Sequence, residues 1–220
     1  MRRFECSALL FDLDGVLVDS AAFVEQQWRR WARSRGLRAD PFLRVCHGRR
    51  AVETIRIAAP HLDADAEVAA FRPTDETPAL GAVAGAARLL GLLPSGSWAV
   101  ATSGPRAGAA ARLRQAGLPV PATLVCAEDV SHGKPNPDAY LLAASRLGIP
   151  AGDCLVLEDA PAGIQAARAA GIPVVALTTT HRPGELPADA LVETLAAVHL
   201  GRVDTTPEGG VRLEILVVEA

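Results

Sequence analysis

Five short apolar runs, at 8–11, 98–101, 123–126, 154–157 and 173–177, recur along the chain between Ala- and Leu-rich stretches. They are rich in β-formers and lack a clean in–out alternation, the pattern of strands buried on both faces. Helical candidates at 106–116, 138–147 and 162–170 separate the later runs and are followed by Gly117, Gly148 and Gly171, which can close a helix. This rhythm predicts an α/β fold, a parallel sheet between helices joined by right-handed crossovers. Ligands of such sheets bind beyond the carboxyl ends of the strands, where strand order reverses. Asp12, Ser103 and the pair Glu158–Asp159 all fall at those ends.

One interval breaks the rhythm. About 85 residues separate the first run from the second, where a crossover helix with its loops needs a dozen or more. An insertion is the simplest account, and its pattern is helical. Ser20 can cap a helix that places Val24, Trp28 and Trp31 on one face, and 51–58 is a second helical candidate. A small helical cap at 20–82 is expected, returning through 81–85 to a core made of 1–19 and 83–220. Trp28 and Trp31 are expected to be packing residues. Near the end, Val211, Leu213, Ile215 and Val217 alternate with Arg212, Glu214 and Leu216 after the turn signal at 205–210. A hairpin over 201–220 extending the sheet edge is expected.

With 220 residues, half of them apolar, the chain can bury a proper core. A net charge of −3 gives no basic excess, which argues against nucleic acid or an acidic membrane surface as partner. Cys6, Cys46, Cys126 and Cys154 are scattered without a C-x-x-C pair and read as reduced thiols. No apolar stretch approaches the roughly 18 residues of a membrane span, so a soluble, cytoplasmic protein is expected.

The chemistry starts where the first run ends. Asp12 and Asp14 stand one residue apart at a strand-to-turn junction. Like charges this close repel unless a cation lies between them or one is protonated. The pair therefore reads as a hard-metal site, as a nucleophile with an acid/base partner, or as both. Of 22 basic residues only Lys134 is a lysine, which suggests a place that needs a compact ammonium and not a planar fork. It reads as a phosphate-binding cation, in a loop where Asn136 can cap the next helix. Asp159 could merely cap the helix that follows it, but with Asp12 beside it in a parallel sheet it becomes a second metal ligand. Magnesium suits such a site. At the second run's end, Thr102, Ser103 and Gly104 can hold an anion with a hydroxyl and backbone amides. His181 and Arg182 are expected in an ordinary surface loop.

In this order, the D-x-D-G-V-L-V-D-S stretch from Asp12 to Ser20, then Ser103, Lys134 and Glu158–Asp159, resemble the four motifs of the haloacid dehalogenase-like hydrolase superfamily, over roughly residues 5–195. The resemblance implies a Rossmann-like core with the small helical cap of the phosphatase and β-phosphoglucomutase branch. Within the cap, His47, Gly48, Arg49 and Arg50 look like that branch's substrate-contacting segment, with Arg49 the contact. It further implies that Asp12 attacks phosphorus to form an aspartyl phosphate, while Asp14 protonates the leaving alcohol and then activates water. Asp12, the Asp14 carbonyl and Asp159 would hold Mg2+, with Glu158 acting through water. Lys134, Ser103 and amides of the turn up to Gly15 would balance the charge of the transferring group. An acid at Asp14 disfavours the dehalogenase and phosphonatase branches. Mutase relatives carry a histidine where this chain has Val24, which favours plain hydrolysis. The expected activity is thus a Mg-dependent phosphatase for a small phosphorylated sugar or polyol. A sugar phosphomutase and a non-catalytic phosphometabolite-binding module are the alternatives.

Overall fold

The computed structural model describes residues 1–70, 79–205 and 210–219. Six parallel strands form the central sheet: β2 (Ala8–Phe11), β3 (Trp98–Ala101), β4 (Leu124–Val125), β5 (Cys154–Glu158), β6 (Val174–Leu177) and β7 (Ala190–Val192). Their order is β4-β3-β2-β5-β6-β7. The five apolar runs are all present as strands, the third trimmed to two residues. β7 was not anticipated; three residues are too few to show a period.

Because neighbouring side chains of a buried strand point to opposite faces, β2 serves two cores. Leu9 and Phe11 join one cluster with Leu89 of α5 (Ala86–Leu92) and Leu113 of α6 (Arg106–Gln115). Ala8 and Leu10 join another with Tyr140 of α7 (Asp138–Leu147) and Ile164 of α8 (Pro161–Ala169). The sheet is thus covered on both sides, which is why its strands lack alternation. Strand order runs outward in both directions from β2 and β5, so the switch point lies between those two.

Between β2 and α5 the described residues form four helices, α1 (Ala21–Ser34), α2 (Asp40–Leu43), α3 (Ala51–Ala58) and α4 (Ala64–Ala70). They enclose a cluster of their own. Trp28 stacks on Phe42 with centroids 5.7 Å apart, and Trp31 meets the same ring edge-on at 5.1 Å, so the two tryptophans are packing residues. The chain enters and leaves this unit side by side: Asp19 N–H donates to Gly81 O at 2.9 Å and Val83 N–H to Leu17 O at 2.9 Å. Part of the expected cap, 71–78, lies outside the described residues.

The tail does form a hairpin, β8 (Val198–Thr205) with β9 (Val211–Val217), but it does not extend the main sheet. It pairs with β1 (Arg2–Cys6) in a separate antiparallel sheet of order β1-β9-β8. The alternation itself explains this. Leu213, Ile215 and Val217 bury one face in the core beside α5, while the opposite, polar face needs solvent, which a sheet covered on both sides cannot offer. The turn signal at 206–209 lies outside the described residues. All four cysteines are free and buried. Among the described residues no helix is long and apolar enough to cross a membrane.

Candidate active site

The carboxyl ends of β2, β3 and β5 meet under the helical insert, and the loop before α7 closes the ring. Lys134 Nζ donates to Asp12 Oδ1 at 2.5 Å and to Glu158 Oε1 at 2.7 Å. The lysine is 1% exposed and Asp12 3%, so this ion pair is shut off from water. Burial opposes the charge on Lys134, but Asp12 and Glu158 keep its ammonium well above the ordinary range. For Asp12 burial wins: its carboxyl is pushed up to about 7, with Lys134 pulling the other way.

Glu158 is saturated. Its Oε1 also accepts from the Tyr140 hydroxyl at 2.9 Å, and its Oε2 accepts the N–H groups of Asp159 at 2.7 Å and Ala160 at 2.9 Å. Burial would raise this carboxyl; Lys134 and the two amides bring it below the usual range. Such a group is the counter-ion of Lys134, which leaves no oxygen for the water-mediated metal contact expected of it. The arrangement depends on Gly163, where any Cβ would overlap the Glu158 carboxyl.

Asp159 does not cap α8; Ala160 holds the N-cap position, and no side chain caps the helix. The Asp159 carboxylate instead accepts from the Thr180 hydroxyl at 2.6 Å. Lys134 is the weakest influence on it, and burial followed by the charges of Glu158 and Asp12 drives its carboxyl well up. It presses so closely on Gly15, at φ 82°, that a Cβ there would collide with it. The buried centre therefore holds Asp12, Glu158 and Asp159 against one ammonium. This surplus of negative charge fits a divalent cation. No three His, Cys, Asp or Glu side chains converge as a metal cluster among the described residues. Asp12 and Asp159 are of the donor type that magnesium takes, one or two carboxylates with waters retained.

Asp14 faces another way. Ser20 Oγ donates to its Oδ1 at 2.6 Å, so Ser20 begins α1 without capping it. Arg112 of α6 supplies the other partner, with Nη2 donating to Asp14 Oδ2 at 3.0 Å.

The anion-holding groups are engaged internally. Gly15 N–H is bonded to Val18 O at 2.8 Å, and Gly104 N–H to Thr102 Oγ1 at 3.1 Å, so neither amide is turned toward an anion as expected. Ser103 Oγ donates to Gly48 O of the insert at 2.9 Å. Asn136 does not cap α7 either; its amide donates to Gly133 O at 3.0 Å, tightening the Lys134 loop.

The segment 47–50 lies on the core. Arg49 Nη1 reaches Lys134 O at 3.5 Å, and Gly48 packs on Ala160. Arg50 is more firmly tied: it bonds Glu53 at 2.6 Å, Val130 O at 2.9 Å and Ser131 O at 3.0 Å, while Glu53 accepts from Gly133 N–H at 2.9 Å. His181 departs from the surface-loop expectation, since its ring lies 3.2 Å from Asp159 O and meets His47 edge-on at 5.8 Å. Arg182 is exposed as expected. Tyr140, Thr180 and Arg112 were not anticipated. Tyr140 carried a signal, as the chain's one tyrosine, four residues after Asn136; Thr180 and Arg112 carried none.

The haloacid dehalogenase-like hydrolase model matches residues 6–171. Hexitol phosphatase A of Escherichia coli (strain K12) is 42% identical over 189 residues, 83% of this chain and 86% of its own length. Validoxylamine A 7'-phosphate phosphatase of Streptomyces hygroscopicus subsp. limoneus is 41% identical over 212 residues, 87% of this chain and 97% of its own. The crystal structure of a hydrolase from Pseudomonas syringae superposes with a TM-score of 0.75 at 27% identity, covering 86% of this chain and 94% of that one. The chain belongs to the haloacid dehalogenase-like hydrolases, in their sugar-phosphatase branch, and is a phosphoric monoester hydrolase.

Proposed function

We propose that this enzyme is a magnesium-dependent phosphatase that hydrolyses a small phosphorylated sugar or polyol through an aspartyl phosphate on Asp12. The observation that carries the reading is the 2.5 Å contact of Asp12 with a fully buried lysine at the switch point of the sheet. Lys134 holds the nucleophilic oxygen in place and neutralises charge as the phosphoryl group approaches. Glu158 and Tyr140 fix the lysine in turn. Asp12, Asp159 and the Asp14 carbonyl would hold Mg2+, which supplies charge neutralisation for the transferring group. Asp14 serves the leaving alcohol and then the attacking water. Ser103 is freed to bind phosphate when the insert, taken as a cap at 20–82, lifts and releases Gly48 O. Arg49 then contacts the substrate.

The substrate class rests on two supports. The insert lies directly on the site, which favours compact substrates over polymers, and the E. coli relative is named for hexitol phosphates. Hydrolysis is preferred to mutation because Val24 packs into the insert's own apolar cluster and offers no proton-transfer group. The test is phosphate release from a panel of hexitol, hexose and glycerol phosphates with and without Mg2+. Magnesium-dependent release that vanishes in Asp12→Asn is expected. Interconversion of hexose phosphates without net phosphate release would overturn the hydrolase reading.

A further inference from the structure

We infer that Arg112 is the positioning residue for the hydrolytic half of this reaction, holding the Asp14 carboxylate in line to activate water against the aspartyl phosphate; the inference rests on the reading above. Arg112 belongs to α6, and its guanidinium is the only basic group bonded to Asp14 among the described residues. Nη2 donates to Oδ2 at 3.0 Å, Nε stands 2.9 Å from Oδ1, and Ser20 Oγ donates to Oδ1 at 2.6 Å. Each carboxylate oxygen is thereby held by one hydrogen bond, Oδ2 by Arg112 and Oδ1 by Ser20, while Nε lies in ion-pair range of Oδ1 without a hydrogen bond to it. A planar guanidinium buried beside the carboxylate directs its donor along one line and so sets orientation as well as charge, which a freely rotating ammonium does not.

The path of the side chain is kept clear. A Cβ at Gly104 would stand 2.7 Å from Nη2, and one at Gly108 3.2 Å from Nη1. The other two arginines of α6 have different positions: Arg106 is spent on Leu124 O and Asp129, and Arg114 is exposed. The Arg112 side chain is only 12% exposed, so it is not a surface charge that happens to lie nearby. No side chain of the Lys134 group bonds to Asp14, whose place therefore depends on Arg112 and Ser20.

The step so served is balanced by water alone. The water oxygen forms a bond to phosphorus as its proton passes to Asp14, and the bond from phosphorus to the Asp12 oxygen breaks. Inorganic phosphate and the Asp12 carboxylate result, and the proton leaves Asp14 for solvent. Formation of the aspartyl phosphate from an aryl ester needs no proton donor, since the phenolate leaves unaided. Losing Arg112 should therefore spare the first step for such a substrate and slow the second.

The experiment is rapid-mixing turnover of p-nitrophenyl phosphate with Mg2+, read as nitrophenol release and as phosphoprotein by intact mass, in wild type, Arg112→Ala and Arg112→Lys. Wild type should show steady release without phosphoprotein. Arg112→Ala should show a burst of about one nitrophenol per enzyme, accumulated phosphoprotein, and a steady rate lower by about a hundredfold. Arg112→Lys keeps the charge in case the alanine variant folds poorly, and should show the same burst with a smaller loss. Millimolar guanidinium should restore part of the rate to Arg112→Ala. An active wild type with variants that show no burst, or that lose both steps equally, would overturn the role of Arg112 alone. A wild type that turns over no ester would overturn the phosphatase reading and this inference with it.

Discussion

Asp12 and Asp14 share one turn, yet the first is met from below by a buried ammonium and the second from the side by a guanidinium and a hydroxyl. The Asp12 carboxylate is met by Lys134, which Glu158 of β5 holds in turn with Tyr140 of α7 on the same oxygen, and all three are buried from water. The Asp14 surroundings are half borrowed, since Ser20 opens the insert and Ser103 nearby is tied to Gly48 of the insert. The floor is thus preorganised before substrate arrives, while the rim is completed by the insert. Charge stabilisation needs fixed groups and proton transfer needs a gate against water, and the two carboxylates divide those tasks.

Breaking the floor should give the largest effect. In Lys134→Met, Asp12 and Glu158 lose their common cation, so activity should fall by at least about a thousandfold and metal-free stability by ~3–5 kcal/mol; phosphate release and urea unfolding check both. Gly163→Ala disturbs the same floor without touching a charge. Its methyl would displace Glu158 and shift Lys134, lowering kcat by about a hundredfold in steady-state assays. On the rim, Arg50→Ala removes the tie from α3 to the loop that carries Lys134. About a tenfold loss of kcat/KM is expected, with faster proteolysis of the insert and little change in the unfolding of the core.

The smallest and sharpest test is pH. Asp12 and Asp159 have raised carboxyl groups, so the folded, metal-free protein binds more protons there than the unfolded chain. That costs stability as pH climbs from about 4 to the Asp12 value of about 7. Glu158 works in the opposite sense: being lowered, it contributes stability above the ordinary carboxylate range that is lost on acidification. Mg2+ should therefore raise Tm by several degrees at pH 8 and by little at pH 5. An equal shift at both would argue that the ion binds elsewhere than on Asp12 and Asp159.

How far the sequence could be read follows the same division. Strands covered on both faces are nearly pure apolar runs, so the sheet was visible, and Lys134 stood out among arginines. Partnerships made at long range were not. Nothing local marks Arg112, one of 21 arginines, as the one that reaches Asp14 across 98 positions. Ser20 and Asn136 were read as helix caps because capping is the local use of such side chains, and both are drawn to other partners. Glu158 beside Asp159 read as reaching the metal through water, because its four donors, on Lys134, Tyr140, Asp159 and Ala160, leave no local mark. Alternation in the tail predicted a hairpin correctly but could not say which strand it would meet, and β1, with one fully buried residue, left no trace of its own.

That pairing of β1 with β9 has a mechanical side. Arg2 lies opposite Val217 and Cys6 opposite Leu213, so a load applied at residues 2 and 217 acts at one end of the ladder, across its hydrogen bonds. Such a ladder opens one pair at a time, like a zip, whereas sliding the strands past each other would strain every pair together. Pulled at these two points, the protein should yield first at this small sheet, at low force, with the phosphatase centre still intact beneath it.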